Sequence, residues 1–144
     1  MTVYAADKLP LWVTKVQEIA DRIVSQAVND MLADIKVVPG LNRGAPQRYD
    51  GTIPRDIGAL ASSLRSTIYG GTALNGATSW MLVAGGMNTG DVATFSWGGS
   101  AAPYAKHVHY GSNGVKGTFW VDIAAAGWSG YVKGAVEKAR IAIQ

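Results

Sequence analysis

The clearest pattern in the chain is a stripe of apolar residues near its beginning. These residues recur at steps of three and four, the spacing that places side chains on one face of a helix. The stripe comprises Trp12, Val16, Ile19, Ile23, Ala27 and Met31, and it is widened by Ala20, Val24, Val28, Leu32 and Ile35. It predicts a long amphipathic helix that starts near Leu9 or Pro10 and stops before Pro39. We expect a sheet of the same domain and another subunit to share the covering of this wide face.

Turn-forming residues follow the stripe and predict an extended loop over about residues 38–55. Glycine, proline, asparagine, aspartate and arginine dominate this stretch, and apolar periodicity is weak. A short central helix is then predicted from about residue 57 to residue 67, ended by Gly70 and Gly71. Its predicted buried face consists of Ile57, Leu60, Ala61, Leu64 and Ile68.

The second half of the chain predicts strands and then a helix. Residues 79–84 and 92–97 are β-rich runs separated by a glycine-rich stretch, which predicts two antiparallel strands joined by a flexible loop. After Pro103 the spacing of Tyr104, Val108 and Gly111 fits a short helix or a bent turn. Residues 131–143 show helical spacing again and predict a C-terminal helix. The expected fold is α+β: a small antiparallel sheet on a long N-terminal helix, with a short central and a C-terminal helix.

Composition narrows the class of protein. The chain has 144 residues, of which 48% are hydrophobic, and this predicts a single domain over 1–144 with a sizeable core. It contains no cysteine, so disulfides, thiolate metal sites and a cysteine nucleophile are excluded. No apolar run is long enough to span a bilayer, and the first residues do not follow a signal-peptide pattern. We therefore expect synthesis in the cytoplasm and no membrane association.

Charge is unevenly distributed along the chain. Residues 1–35 carry three basic and five acidic side chains, for a net charge of −2, whereas residues 36–66 carry five basic and two acidic ones, for +3. The predicted loop thus concentrates basic charge at Arg43, Arg48 and Arg55. Such a loop can face a phosphate backbone, an acidic neighbouring subunit or simply solvent.

Candidate catalytic chemistry is sparse. His107 and His109 share a face only if their segment is a strand, and the nearest acidic residues, Asp91 and Asp122, have no recognised ligand spacing. No serine at a strand-to-helix elbow supports a hydrolase that uses either histidine. We expect both histidines to be hydrogen-bonded or exposed to solvent. The sequence therefore predicts that the protein is not an enzyme and that it binds neither a cofactor nor a metal ion.

Glycine-rich and aromatic residues have ordinary explanations as well. The stretch at residues 85–90 lacks the following lysine, serine and helix of a phosphate-binding loop, so we interpret it as a hairpin tip. The five tryptophans and six tyrosines are not interleaved with basic residues in the manner of a base-stacking surface. We interpret them as core residues and interface anchors.

Two segments carry a family resemblance. The first has Pro54, then Gly58-Ala59-Leu60 with Ser63 or Ser66, and the second has Pro103-Tyr104-Ala105, Val108 and Tyr110-Gly111, followed by Phe119-Trp120. Their order between a long first helix and a closing helix resembles the tail-completion, or head-to-tail joining, family of long-tailed bacteriophages. Ile57 stands where that family usually has threonine, and His109 stands where glutamate is common.

This resemblance implies a structural virion protein. It implies a homo-oligomeric ring, of six or twelve copies, in the phage neck between the capsid portal and the tail, assembled in the host cytoplasm with other neck and tail proteins. DNA in the channel is a further implied partner, which the protein would contact non-specifically. The candidate interface or DNA-channel residues are Arg43, Arg48, Arg55, Trp12, Tyr104, Tyr110, Phe119 and Trp120. A small basic nucleic-acid-binding module is the alternative, favoured by the pI near 9.3.

Overall fold

The computed structural model describes residues 4–39, 51–55, 59–69, 71–112 and 114–143. The chain has a mixed α+β fold, as the sequence predicted. Its helices are α1 (Tyr4–Ala33), α2 (Ala59–Ser62), α3 (Ser79–Gly85), α4 (Ala105–Tyr110), α5 (Trp120–Ala126) and α6 (Trp128–Ile143). Its strands are β1 (Val37–Pro39), β2 (Ile53–Arg55), β3 (Arg65–Ile68), β4 (Leu74–Asn75), β5 (Ala93–Ser96), β6 (Gly111–Ser112) and β7 (Val115–Lys116).

The long N-terminal helix is confirmed, although its predicted start was wrong. Helix α1 begins at Tyr4, so that Pro10 lies inside it and lacks the amide that would bond the carbonyl four residues earlier. Ala5 and Ala6 are strong helix formers, and they extend the helix beyond the proline. At the other end, the Lys36 ammonium donates to the Ala33 carbonyl at 3.0 Å and so satisfies one of the free carbonyls of the last turn.

A three-stranded antiparallel sheet packs on α1, in the order β4-β3-β5. Strand β3 is central: Arg65 is opposite Ser96 of β5 and opposite Asn75 of β4. Two short pairs complete the described strand structure, a parallel β1–β2 pair and an antiparallel β6–β7 pair. Of Arg55 in β2, only the backbone is described.

The predicted central helix was wrong in length. Helix α2 has four residues, and Arg65–Ile68 is a strand. Ser63 separates the two, because its hydroxyl donates to the Leu60 carbonyl at 2.6 Å and accepts the Gly98 amide at 2.9 Å. The Ser63 side chain thus joins the turn after α2 to Gly98, which lies just beyond β5. Of the predicted buried face, Leu60, Ala61 and Leu64 are buried and Ile68 is half-buried, whereas Ile57 lies outside the described residues.

The predicted hairpin of residues 79–84 and 92–97 was half wrong. Ser79–Gly85 is helical, and β5 pairs with β3 instead. Trp80, Ala84 and Met87 follow a three- and four-residue period, and all three pack in the cluster beneath α1. Residues 85–91 therefore connect a helix to a strand and are not a hairpin tip.

The C-terminal third agrees with the sequence in outline. The segment after Pro103 forms the short helix α4, and α6 starts at Trp128, three residues before the predicted position. Helix α5 was not predicted. It follows Phe119, which has a positive φ of 50° and turns the chain into the helix.

Helix α6 packs against α1 in the opposite direction. The Tyr131 hydroxyl donates to Asp34 at 2.7 Å, and Lys138 pairs with Asp30 at 2.8 Å. Partial desolvation raises the pKa of Asp30, but hydrogen bonds from Lys138 and Gln26 outweigh it and hold the pKa below its ordinary value. The hydrogen bond to the Asp34 carboxylate raises the pKa of Tyr131 to about 12.

Two apolar clusters form the core. One lies between α1, α3 and the sheet around Val28 and Leu32, and the other lies around Ile53, Leu60 and Trp120. Ile35 and Trp97 pack against both clusters, and so join the sheet side of the molecule to the α4–α5 side.

Candidate assembly surface

The first exposed apolar surface lies on the N-terminal half of α1. Every residue from 11 to 18 is exposed, and we call this segment the arm. Leu11 and Trp12 are 68% and 62% exposed, and Val13 and Val16 are exposed as well. Among the α1 side chains that the structure describes, residues 11–33, the buried positions are Ala27, Val28 and Leu32, all beyond the arm.

The arm is exposed because α1 is longer than the elements that cover it. A 30-residue helix is about 45 Å long, whereas the 16 residues of α6 span about 24 Å. The covered part begins near Asp21, whose carboxylate accepts the Thr89 amide at 2.7 Å. That bond, with a second from Gln17, lowers the pKa of Asp21. The contact marks the root of the arm.

A second exposed apolar surface lies at the end of the sheet. Tyr69 is 89% exposed and Val92 is 62% exposed, and the Tyr69 amide donates to the Val92 carbonyl at 2.8 Å. Next to Val92, the Asp91 carboxylate accepts the Asn88 amide at 2.7 Å, which fixes the loop. We call Tyr69, Asp91 and Val92 the sheet-end patch.

The arm and the sheet-end patch are close to one another in the fold. The loop that carries Asp91 and Val92 also carries Thr89, which binds Asp21 at the root of the arm. Both surfaces therefore lie at the same end of the protein.

The predicted interface residues fall into different environments. Trp12 lies on the arm, and Tyr104 and Tyr110 are exposed at the two ends of α4. Phe119 is half-buried, with its ring centroid 6.0 Å from that of Tyr110. Trp120 is only 3% exposed and packs edge-on against Trp97 at 6.2 Å, so it belongs to the core of this chain.

The predicted arginine cluster is largely outside the described residues. Arg43 and Arg48 lie there, and for Arg55 the structure describes the backbone in β2 but not the side chain. The arginines stay a sequence-based prediction.

The two histidines lie on a helix, and so their side chains point to different sides. His107 is exposed, as expected of a solvent-facing histidine, whereas His109 is buried among the rings of Tyr110, Phe119 and Trp120. Its Nε2 is 3.8 Å from Asp122 Oδ1, beyond hydrogen-bond distance.

Three buried polar side-chain atoms in the described part of the chain have no hydrogen-bond partner. They are His109 Nε2, Thr118 Oγ1 and Trp120 Nε1. The expectation that both histidines are hydrogen-bonded or exposed is therefore wrong for Nε2 of His109, because aromatic rings surround this side chain.

Metal and membrane features are missing from the residues that the structure describes. Their side chains contain no group of three or more histidines, aspartates and glutamates that could hold a metal ion. None of the helices, over the same residues, combines the length and the apolar character that a membrane crossing requires.

An apolar cavity of about 30 Å³ between Leu32, Trp80 and Trp97 has room for one water molecule.

The sheet-end patch was not predicted from the sequence. Val92 falls in a predicted strand, and Tyr69 follows a predicted helix, so that neither position carries a sign of exposure.

Comparison with known proteins adds no relative. The sequence matches no protein-family model, and searches of curated proteins and of solved structures find no match. Proposals about function therefore rest on the residues of the chain itself.

Proposed function

We propose that this protein is a structural subunit that assembles with copies of itself into a ring in the neck of a long-tailed bacteriophage, where it joins the capsid portal to the tail. The observation that carries the proposal is the arm, since a helix end with four exposed apolar side chains is costly to leave in water. The order of motifs from Pro54 to Trp120 supports the phage neck as the location.

A ring covers such surfaces at every subunit boundary. A head-to-tail contact brings two different patches together, and it repeats from copy to copy until the ring closes. The arm and the sheet-end patch are two different apolar surfaces on one chain. Exposed Tyr104 and Tyr110 are available for contact with the other proteins of the neck.

Imaging tests the proposed assembly. Electron microscopy of the purified protein, alone and bound to phage particles, is expected to show closed rings at the junction of head and tail. Particles that contain no copy of this chain would contradict the proposal.

The arginine loop gives a separate prediction within this function. Neutralising Arg43, Arg48 and Arg55 together removes three positive charges, and is expected to weaken particle assembly or DNA retention. The measurement is the yield of infectious particles from a phage that carries the triple variant. A normal yield would show that these arginines are not needed for assembly or DNA retention.

DNA binding by the isolated protein distinguishes the alternative function. A nucleic-acid-binding module would bind DNA with an affinity that falls steeply as salt rises. A neck subunit is expected to form its rings without DNA.

A further inference from the structure

We infer that the arm of one copy packs on the sheet-end patch of the next copy, so that these two surfaces form the repeating contact of the ring. The inference rests on the proposed function and adds to it the surfaces and the partner, a second copy of this chain. Trp12 and Val16 are four residues apart, and so lie on the same side of α1. Tyr69 and Val92 supply a matching apolar surface.

The apolar area fits a contact of this kind. An exposed aromatic side chain offers roughly 150–250 Å² and an aliphatic one about half of that, so the arm and the patch together offer roughly 600 Å². Apolar atoms make up about 60% of an interface, which implies a total of roughly 1,000 Å². Specific interfaces begin at about this size. One arm on one patch therefore reaches about the lower limit for a specific interface.

The arm carries one positive and one negative exposed side chain, Lys15 and Glu18, and the charge next to Val92 is that of Asp91. Lys15 is exposed on the arm, between Trp12 and Val16 in the sequence. Asp91 is exposed beside Val92, and its hydrogen bond to the Asn88 amide holds it in place. A contact that brings Lys15, and not Glu18, next to Asp91 of the next copy pairs opposite charges, and this sets the direction in which the arm lies on the patch. A pair at the rim of an interface contributes mainly to orientation.

The patch lies on the sheet face that α1 of the same copy leaves uncovered. Thr89 binds Asp21 at the root of the arm, and Asp91 and Val92 follow Thr89 closely in the chain. Ile68 and Ala93 face the cluster with α1, and so Tyr69 and Val92, one position further along each chain, face the other side of the sheet. A neighbour's arm on the patch therefore lies on the sheet face opposite the host copy's own α1.

Cross-linking between engineered cysteines tests the contact, because the chain has no cysteine of its own. One protein carries Val16→Cys, and a second, size-tagged protein carries Tyr69→Cys, both at exposed positions. After mixing and mild oxidation, we expect a covalent dimer of one tagged and one untagged chain. The matched control replaces Tyr69→Cys with Val121→Cys, an exposed position on α5, and is expected to give at least about tenfold less dimer.

The outcomes separate this inference from the proposed function. Rings that form without cross-linking between residues 16 and 69, or equal cross-linking with the Val121→Cys control, would overturn the inference and leave the ring in place. A chain that stays monomeric would overturn both.

Charge reversal provides a second test with the intact chain. Lys15→Asp places a second negative charge beside Asp91 of the neighbour, and is expected to weaken self-association about threefold or more, as is Asp91→Lys alone. The double variant restores the opposite charges, and is expected to recover most of the lost association. Two single losses that simply add in the double variant would contradict the pairing.

Discussion

Gly117 lies where the fold leaves no room for a side chain. A Cβ at this position would collide with the backbone of His109, Tyr110 and Gly111. These are backbone atoms of the turn from α4 into β6, so the collision cannot be relieved by a change of rotamer. The close approach explains why the residue before Thr118 is glycine.

Gly117→Ala is therefore expected to destabilise the protein by about 2–3 kcal/mol. The measurement is the free energy of unfolding in urea. Gly134→Ala is the matched control, because Gly134 lies in α6 and an added Cβ would meet open space there. That change is expected to stabilise the protein by about 0.5–1 kcal/mol, since alanine is the better helix former. Similar effects at the two glycines would contradict the assignment.

Tyr131 connects stability to pH through its bond to Asp34. Its pKa is raised from 10.0 to about 12, so the folded state holds the hydroxyl proton more tightly than the unfolded state. The stabilisation is complete below pH 10 and is lost as the pH rises from about 10 to about 12.

Tyr131→Phe is expected to cost about 1 kcal/mol at pH 8, the usual contribution of one hydrogen bond. Above about pH 10 the difference from the wild type should decrease, because the wild type loses the same bond by ionisation. Urea unfolding at several pH values checks both parts. Tyr110→Phe, at an exposed tyrosine, is expected to change stability by less than about 0.5 kcal/mol. A difference that stays constant from about pH 8 to about pH 11 would contradict the account.

At the scale of elements, amphipathic spacing and tertiary contact determine different parts of the fold. The apolar periods of α1 and α6 extend over many residues, and both helices were predicted from them. Residues 79–85 are too few for a period to separate helix from strand. Their contacts decide the matter, because Ala84 packs beneath α1 and Ser79 bonds to Ser66 of β3.

The candidate surface was predictable only in part. The wide apolar stripe of α1 predicted that a sheet or another subunit covers the helix. Within the single chain Trp12 is exposed, so its own domain does not cover it. The interface role of Trp120 could not be judged from sequence, since an aromatic residue at the start of a helix serves equally well as a core residue. The sheet-end patch depends on where β3 and β5 end, which is a property of the assembled sheet.

Ser66 and Ser79 connect β3 to α3 through a buried pair of hydroxyls 2.8 Å apart. Ser66→Ala is expected to cost about 1–3 kcal/mol, because it leaves the Ser79 hydroxyl buried without this partner. Removing both hydroxyls should cost less than the sum of the two single changes. A double-mutant cycle of unfolding free energies measures this coupling. Strict additivity would show that the pair does not hold the helix to the sheet.

At the scale of the whole molecule, the chain places its apolar side chains in two ways. Residues around Val28, Leu32 and Trp120 form the core, whereas other apolar side chains stay exposed. The exposed ones include the arm and the sheet-end patch, and single positions such as Leu82 and Ile141. Large apolar patches on one chain mark surfaces that bind another protein. The central claim is that copies of this chain cover these surfaces for each other.

Sedimentation velocity over a range of protein concentrations tests that claim most directly. The account predicts that the 15.1 kDa chain associates into a defined oligomer at micromolar concentration. It also predicts that Trp12→Ser lowers the association at least about tenfold, whereas Val121→Ser does not. A single 15.1 kDa species at every concentration would contradict the account.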